Sequence, residues 1–452
     1  MDDKIIKKYK DLVLEKTPEY DNIMAAITVV KQYILKNKCI LVGGIAIDYA
    51  LRLKSQPGIY DESVIPDFDI ITSTHFQDAY NIATLLARKK FTGISVINAL
   101  HPSTMKVRVN FVEVCDITYI PKNILDTIPL LNYHGFNMVH AHYQYIDQHR
   151  SLSYPYENAP RETIMHRPEK DMIRHDLLYN LYPLKIINTK NLLIELKEYS
   201  TTLDILDDQC VSGFFALNYW IQEAKNMGFK TPLNFGNIII KNNTISGMIP
   251  LDSSLVLYSN NINDLYKKLD KSKNDAKFYA RLLDKLPRKI VIKNYEIFDL
   301  TQKIAAHKIR IGNADIHIAN IQSIMMYLLV NYIILQAFNE KRSYAYYIGY
   351  ITCRDLVTWA SAQKDTKFEK FLPTAEVYGE YNLSDSYIVS YHNFSIKNKT
   401  IEIIEKNKYA QPSSVFDRDL KYGKTPSKYY EFDIKKSEIF NFGGNEIDNF
   451  LI

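Results

Sequence analysis

Asp67 and Asp69 flank Phe68 in the stretch VIPDFDIIT. In an extended strand residues i and i+2 project to one face, so the two carboxylates converge while Phe68 turns into the core. Paired hard oxygen donors of this kind form a clamp for a divalent cation. A third carboxylate should come from a neighbouring strand, and MKVRVNFVEVCDITYI offers Glu113 and Asp116. An uninterrupted strand places these two on opposite faces, so only one can join the cluster. Asp116 is preferred, because Cys115-Asp116-Ile117 repeats the apolar-acid-apolar setting of Phe68-Asp69-Ile70; Glu113 is the second choice. Acids crowded in this way repel one another unless cations sit among them. Two Mg²⁺ ions there would activate an attacking hydroxyl and stabilise a leaving pyrophosphate.

A D-x-D alone is common in solvated loops, and its meaning here comes from what surrounds it. Upstream, Cys39 to Val42 reads as a strand, Gly43-Gly44 as a turn and IAIDYALRL as a helix. Such a turn exposes backbone N–H groups at a helix N-terminus, where a phosphate can sit. The stretch before it, to about Asn37, has helical apolar spacing through Ile23, Ala26, Ile27, Val30 and Tyr33. A helix from about Phe76 to Lys89 and a strand from about Met105 to Tyr119 complete an α/β unit.

At VGGIAIDYAL, IPDFDIIT and VEVCDITYIP the chain resembles the DNA-polymerase-beta-like nucleotidyltransferase superfamily. More narrowly, it resembles the poxvirus-type poly(A) polymerase catalytic subunits of large cytoplasmic DNA viruses, most strongly over residues 35 to 185. The resemblance implies transfer of AMP from ATP to an RNA 3′ hydroxyl, with Asp67, Asp69 and Asp116 as catalytic metal ligands for two Mg²⁺ or Mn²⁺ ions. It places Gly43 and Gly44 near the triphosphate. It also implies a host-cytoplasmic or virion location, and either a processivity subunit or a homodimer. Many superfamily members carry Gly-Ser at this turn. Gly44 replaces the serine here, so backbone N–H groups must do more of the phosphate binding. In HRPEKDMIRHDLLYNLYPL, Pro168 suits the first turn of a helix, and Lys170 and Arg174 share a face that either reaches ATP phosphates or RNA or belongs to a plain surface helix.

The middle of the chain repeats the unit in weakened form. CVSGFFALNYWI aligns with CILVGGIAIDYAL, placing Gly213 on Gly43 and Phe214 on Gly44. With one insertion, Asp252 falls on Asp67 and Ser254 on Asp69; YEIFDLTQ then places Asp299 on Asp116. The expected architecture is therefore α/β (α+β): a nucleotidyltransferase fold over residues 1–185, and a degenerate nucleotidyltransferase-like domain with a helical C-terminal extension over 186–452. A UMP- or CCA-adding enzyme on the same fold is the near alternative. An inactive RNA-binding scaffold is disfavoured because the first copy keeps all three acids.

The 452 residues, 46% of them hydrophobic, exclude wholesale disorder. A net charge of +5 is too weak for a protein coated in nucleic acid. Positive charge is instead concentrated in Ile262 to Lys293 and in Ser395 to Tyr430, where basic residues alternate with Tyr409, Tyr422, Tyr429 and Tyr430 in a pattern suited to single-stranded RNA. In both stretches a solvated helix face or a partly ordered tail is the plainer reading. Four scattered cysteines form no CxxC pair, which argues against a disulfide scaffold or structural zinc. The pair His140 and His142 lacks further ligands. The N-terminus has no signal-peptide pattern. The apolar stretch Ile318 to Phe338 contains Asn320, Gln322, Ser323, Asn331 and Gln336, and reads as a buried helix rather than a membrane span.

Overall fold

The computed structural model describes residues 19–60, 65–99, 104–120, 122–126, 128–156, 161–185, 193–269, 277–279, 285–287, 289–300, 302–337, 340–380, 393–397 and 400–405, with a few isolated positions before residue 19. It forms two compact units, one within residues 1–144 with 177–181 and the strands of 393–405, the other within 145–176 and 182–382.

The first unit begins with the helix Tyr20–Asn37, which buries Ile23, Ala26, Ile27, Val30 and Tyr33 as its spacing predicts. Strand β1 (Ile40–Leu41) runs directly into the helix Gly43–Leu53. Strand β2 (Asp69–Thr72), the helix His75–Arg88, β3 (Ile94–Asn98), β4 (Thr104–Val109), β5 (Val112–Tyr119), β6 (Leu130–Tyr133) and β7 (Phe136–Val139) follow. They make a sheet in the order β3-β4-β5-β2-β1-β7-β6. Most neighbours are antiparallel, but β2 pairs parallel with β5, and β1 parallel with β7. Helices Tyr20–Asn37 and His75–Arg88 both pack on this sheet. A buried acid ties them together: Asp78 accepts from the Tyr33 hydroxyl at 2.7 Å and from Thr72 at 2.7 Å.

The second unit contains β8 (Leu196–Thr202), β9 (Cys210–Ser212), the helix Gly213–Asn226, β10 (Ile239–Lys241), β11 (Thr244–Pro250), β12 (Leu255–Ser259), β13 (Lys277–Tyr279), β14 (Lys289–Ile292), β15 (Tyr295–Asp299), β16 (Ile304–Ile311), β17 (Ala314–Ala319) and β18 (Val377–Tyr378). Its large sheet runs β13-β14-β15-β12-β9-β17-β16-β18, and β8, β10 and β11 form a separate small sheet. The helices Ile321–Ala337 and Ser343–Ser361 lie between β17 and β18 in the chain. A final hairpin, β19 (Asn393–Lys397) and β20 (Thr400–Glu405), adds to the first unit's sheet beside β3, so the C-terminal part of the chain is not only helical.

The two large sheets have the same topology. Strand for strand, β3-β4-β5-β2-β1-β7-β6 corresponds to β13-β14-β15-β12-β9-β17-β16, with every parallel and antiparallel pairing preserved. Gly43 and Gly213 open equivalent helices with φ of 65° and 62°. Ladder register corrects the residue matches expected from sequence. Asp69 pairs with Asp116, and the equivalent pair is Val256 with Glu296. The neighbours of the two glycines agree, since Gly43 faces Asp69 and Gly213 faces Val256. Ser254 therefore stands at the place of Asp67, Val256 at that of Asp69 and Glu296 at that of Asp116. Asp252 lies on an exposed turn, and Asp299 pairs with Ser259 at the end of the ladder. Apolar strands align nearly as well two or three residues out of step, which is how the sequence match slipped.

The apolar stretch near residue 330 is the buried helix expected, and among the described residues no helix is long and apolar enough to cross a membrane. Most of its polar groups bond internally: Asn320 accepts from the Ser323 N–H at 2.9 Å and Asn331 donates to the Tyr327 carbonyl at 2.9 Å, while the buried Asn320 Nδ2 has no partner. Buried His149 lies with Nδ1 2.9 Å from the Gln322 side-chain oxygen, to which it donates, and with Nε2 2.9 Å from the Tyr350 hydroxyl, which donates to the neutral ring. Burial pushes its pKa down to about 4, with Arg354 adding to the effect and the Gln322 bond opposing it. Between an ordinary value near 6.5 and about 4, the unfolded chain takes up a proton that the folded one refuses. Stability is therefore intact above this window and falls as pH drops through it, by about 1.4 kcal/mol per pH unit for this group. Thermal melts from pH 7 to 4.5 should show that decline, and His149→Gln should flatten the slope while lowering the melting temperature at pH 7; an unchanged slope would exclude His149 as its source.

Candidate active site

Phe68 is fully buried and its carbonyl accepts the Asp116 N–H at 2.9 Å, extending the β2–β5 ladder back to the D-x-D. Asp67 precedes β2, and Asp69 opens it beside Asp116. Asp67, Glu113 and Asp116 each present an oxygen, all within 4.8 Å of one another. The expectation that Glu113 and Asp116 lie on opposite faces is overturned by a β-bulge. In the β4–β5 ladder Val107 pairs with Cys115 but Arg108 with Glu113, leaving Val114 as an extra residue. The bulge turns Glu113 to the side of Asp116. Asp69 is not in the tight trio, because its carboxylate lies against Gly43.

Two cations from β4 enter the cluster. Lys106 Nζ bridges Glu113 at 2.7 Å and Asp116 at 2.8 Å, and Arg108 binds the other Glu113 oxygen at 2.6 Å. Burial alone would raise the Glu113 carboxyl, but the bonds from Lys106 and Arg108 outweigh it and hold it below the ordinary range. Asp116 has less help. Burial pushes it up to about 6, Asp67 and Glu113 add to the rise, and Lys106 opposes it. Asp67 is raised as well, chiefly by desolvation although the residue keeps an exposed side, with Lys106 acting against the shift. The buried Asp116 Oδ1 has no hydrogen-bond partner. Hard oxygens, an orphaned buried carboxylate oxygen and raised acids are what a divalent cation would relieve, so the donor set fits Mg²⁺ or Mn²⁺.

Val42 is extended and Gly43 left-handed, the conformation that turns β1 into the helix Gly43–Leu53 and that only glycine adopts freely. At Gly44 the Tyr60 hydroxyl occupies the space a Cβ would need, so a serine there would require the tyrosine ring to move. Tyr60 is held by its own backbone: its N–H donates to Asp48 at 3.0 Å, and its carbonyl accepts from Arg52, itself bonded to Asp48 at 2.6 Å. Sequence reasoning missed Tyr60 because the loop before the D-x-D carries no periodicity.

In the second unit Glu296, at the place of Asp116, is buried against Lys289 and accepts from the Tyr327 hydroxyl at 2.9 Å. With Val256 and Ser254 in place of the two aspartates, the constellation is gone and the surviving acid is neutralised by a lysine. Among the described residues the acid trio of the first unit is the one group that could hold a metal ion.

Other expected residues lie apart from this description. Lys170 and Arg174 are one turn apart on the helix Arg161–Leu181, which starts well before Pro168, so that proline sits inside the helix and removes one backbone bond. In the basic stretch Ile262 to Lys293, Lys267 pairs with Asp264 at 3.1 Å on the exposed face of the helix Ile262–Leu269, whose Ile262, Leu265 and Leu269 are buried, whereas residues 270–276, Tyr409, Tyr422, Tyr429 and Tyr430 lie outside the described residues. His140 and His142 stack edge to face, and the four cysteines are buried and free.

A left-handed glycine at a helix N-terminus, a D-x-D strand and a parallel neighbour bearing a third acid define a nucleotidyltransferase fold. Residues 28–158 match the family model of the poly(A) polymerase catalytic subunit. A protein of that name from African swine fever virus (isolate Pig/Kenya/KEN-50/1950) is 38% identical over 229 residues, 50% of this chain and 47% of the relative. Another, from Acanthamoeba polyphaga mimivirus, is 26% identical over 261 residues, 54% of this chain and 44% of the relative. The chain thus spans about half the length of the curated relatives it matches. The crystal structure of the Megavirus polyadenylate synthase superposes with a TM-score of 0.62 at 18% identity, covering 83% of this chain and 78% of that one, which establishes a shared fold across both units.

Two outcomes test this description. Lys289→Met strands a buried carboxylate and should cost about 3–5 kcal/mol, while Lys289→Met with Glu296→Leu should recover most of it; equal loss in both proteins would show that the ion pair is not what matters. Gly44→Ser should lower the melting temperature, and combined with Tyr60→Ala it should cost less than the sum of the two single changes. Strict additivity would contradict the contact.

Proposed function

We propose that the chain is a template-independent poly(A) polymerase that transfers AMP from ATP to an RNA 3′ hydroxyl. The observation that carries the reading is the clustering of Asp67 and Asp116 with Glu113, with Asp69 paired to Asp116 across the β2–β5 ladder and lying against the left-handed Gly43, within the segment that matches the poly(A) polymerase family model. Asp67, Asp69 and Asp116 would hold two divalent cations, Mg²⁺ or Mn²⁺, with the orphaned Asp116 Oδ1 as a ready ligand. When bound, such ions supply positive charge to the attacking hydroxyl and the leaving pyrophosphate. The backbone at Gly43 and Gly44 opens a helix toward the same acids and offers N–H groups to the triphosphate. The Tyr60 hydroxyl, at the position a turn serine would fill, is placed to add a donor. The second unit, its acid neutralised by Lys289, would serve RNA binding or assembly rather than chemistry. Self-association or a separate processivity subunit would then govern tail length. The likeness to viral proteins supports a host-cytoplasmic or virion location.

The purified chain, a short labelled RNA, Mg²⁺ and each nucleoside triphosphate in turn test the reading. Long products are expected with ATP alone. Preferred UTP incorporation, or addition that stops after CCA, would instead make it a sister transferase, and no addition would leave an RNA-binding scaffold. Asp67→Ala, Asp69→Ala and Asp116→Ala should each lose roughly a thousandfold in rate while staying folded. Near-normal rates in any of them would remove that residue from the metal site.

A further inference from the structure

Both Glu113 oxygens already face a cation: Oε1 takes Arg108 at 2.6 Å and Oε2 takes Lys106 at 2.7 Å. Asp116 differs, with Oδ2 on Lys106 at 2.8 Å and Oδ1 unpartnered. We propose that Lys106 is the resident counter-ion of the catalytic cluster, bridging Glu113 and Asp116 until a divalent ion takes Asp116, and that Glu113, clamped by Arg108, is the arm on which Lys106 is then held. This makes Glu113 an anchor rather than a ligand and Lys106 a positioning residue that competes with the metal. The proposal rests on the metal-dependent reading of the site.

The second unit supplies an independent precedent. Glu296 occupies the place of Asp116 and is neutralised by Lys289 from β14, the strand equivalent to the one that carries Lys106. By ladder register Val291 is the counterpart of Lys106, and Lys289 lies two residues before it on the same face of the strand. Both copies therefore answer the same acid with a lysine from the same strand. In the second copy the lysine is buried, 2% exposed; in the first it is 23% exposed, with room to leave Asp116 while keeping Glu113. Charge points the same way. Asp67, Asp69, Glu113 and Asp116 against Lys106 and Arg108 leave two negative charges, which one divalent ion neutralises. A second ion would then have to arrive with the charge of the triphosphate.

Mn²⁺ binding to the full chain without nucleotide, followed by electron paramagnetic resonance, tests this apart from activity. An ammonium a few ångströms from a divalent ion repels it strongly at the effective dielectric of such sites. Lys106→Met should therefore bind Mn²⁺ about tenfold tighter or more, and should gain more thermal stability from Mn²⁺ than the wild type. Lys106→Arg, which keeps the charge, should bind like the wild type, and Glu113→Gln should bind several-fold more weakly because Lys106 loses its second carboxylate. A merely structural Lys106 would give weaker binding in Lys106→Met, and unchanged or weaker binding there overturns the proposal. Asp67→Asn separates the two claims. Undiminished Mn²⁺ binding in that protein defeats the metal-site reading itself, whereas loss there together with no gain in Lys106→Met defeats the role of Lys106 alone.

Discussion

Crowding of carboxylates at one end of the first sheet is the constraint around which the first unit is arranged. Asp67, Glu113 and Asp116 crowd within 4.8 Å, with Asp69 alongside. Such crowding is held in place by elements that contribute stability of their own. The parallel β2–β5 ladder fixes Asp69 beside Asp116, the buried Phe68 keeps the D-x-D from rotating, and the bulge at Val114 brings in Glu113. Burial above all, with the neighbouring acids adding to it, keeps Asp116 and Asp67 above the ordinary carboxylate range, although Lys106 opposes the rise.

The second unit shows the same scaffold released from that constraint. The topology, the left-handed glycine and the ladder register persist, but a valine and a serine replace the two aspartates and an internal ion pair takes the third acid. Its interior around Glu296, Tyr327 and Lys289 is closed where the first unit leaves Asp116 Oδ1 without a partner. The fold therefore does not need the acids. Their retention in the first copy, at a cost in electrostatic energy, is what a functional site looks like when its stability is supplied elsewhere.

Much of this was legible in the sequence, for reasons that can be named. The D-x-D could be read because its geometry is local, set by the two-residue period of a strand, and Gly43 because a left-handed turn selects glycine. The apolar helix at 321–337 followed from length and composition, and the repeat from the order of its elements. What could not be read depended on pairing between distant residues. A bulge adds one residue to a ladder without any distinctive residue type, so Glu113 seemed to face away. The second copy slipped by two residues at the D-x-D strand and three at the next, because runs of apolar residues such as Leu255-Val256-Leu257 carry no register mark of their own. Tyr60 and Lys106 act across loop and ladder contacts that no short motif encodes.

The two copies hold the corresponding acid in different ways. Both Asp116 and Glu296 sit on the strand parallel to the D-x-D strand or its equivalent, and both meet a lysine from the adjacent antiparallel strand. The difference is saturation. Glu296 is bonded by Lys289 through one oxygen and Tyr327 through the other, whereas Asp116 is bonded through one oxygen only and shares its lysine with Glu113. A carboxylate with both oxygens bonded gains less from a further cation than one left half-satisfied and partly exposed, which has more free energy to release when an ion arrives. The site's readiness for metal thus comes from a deliberate shortage of partners around Asp116, maintained because Arg108 and Glu113 together keep Lys106 from committing to it.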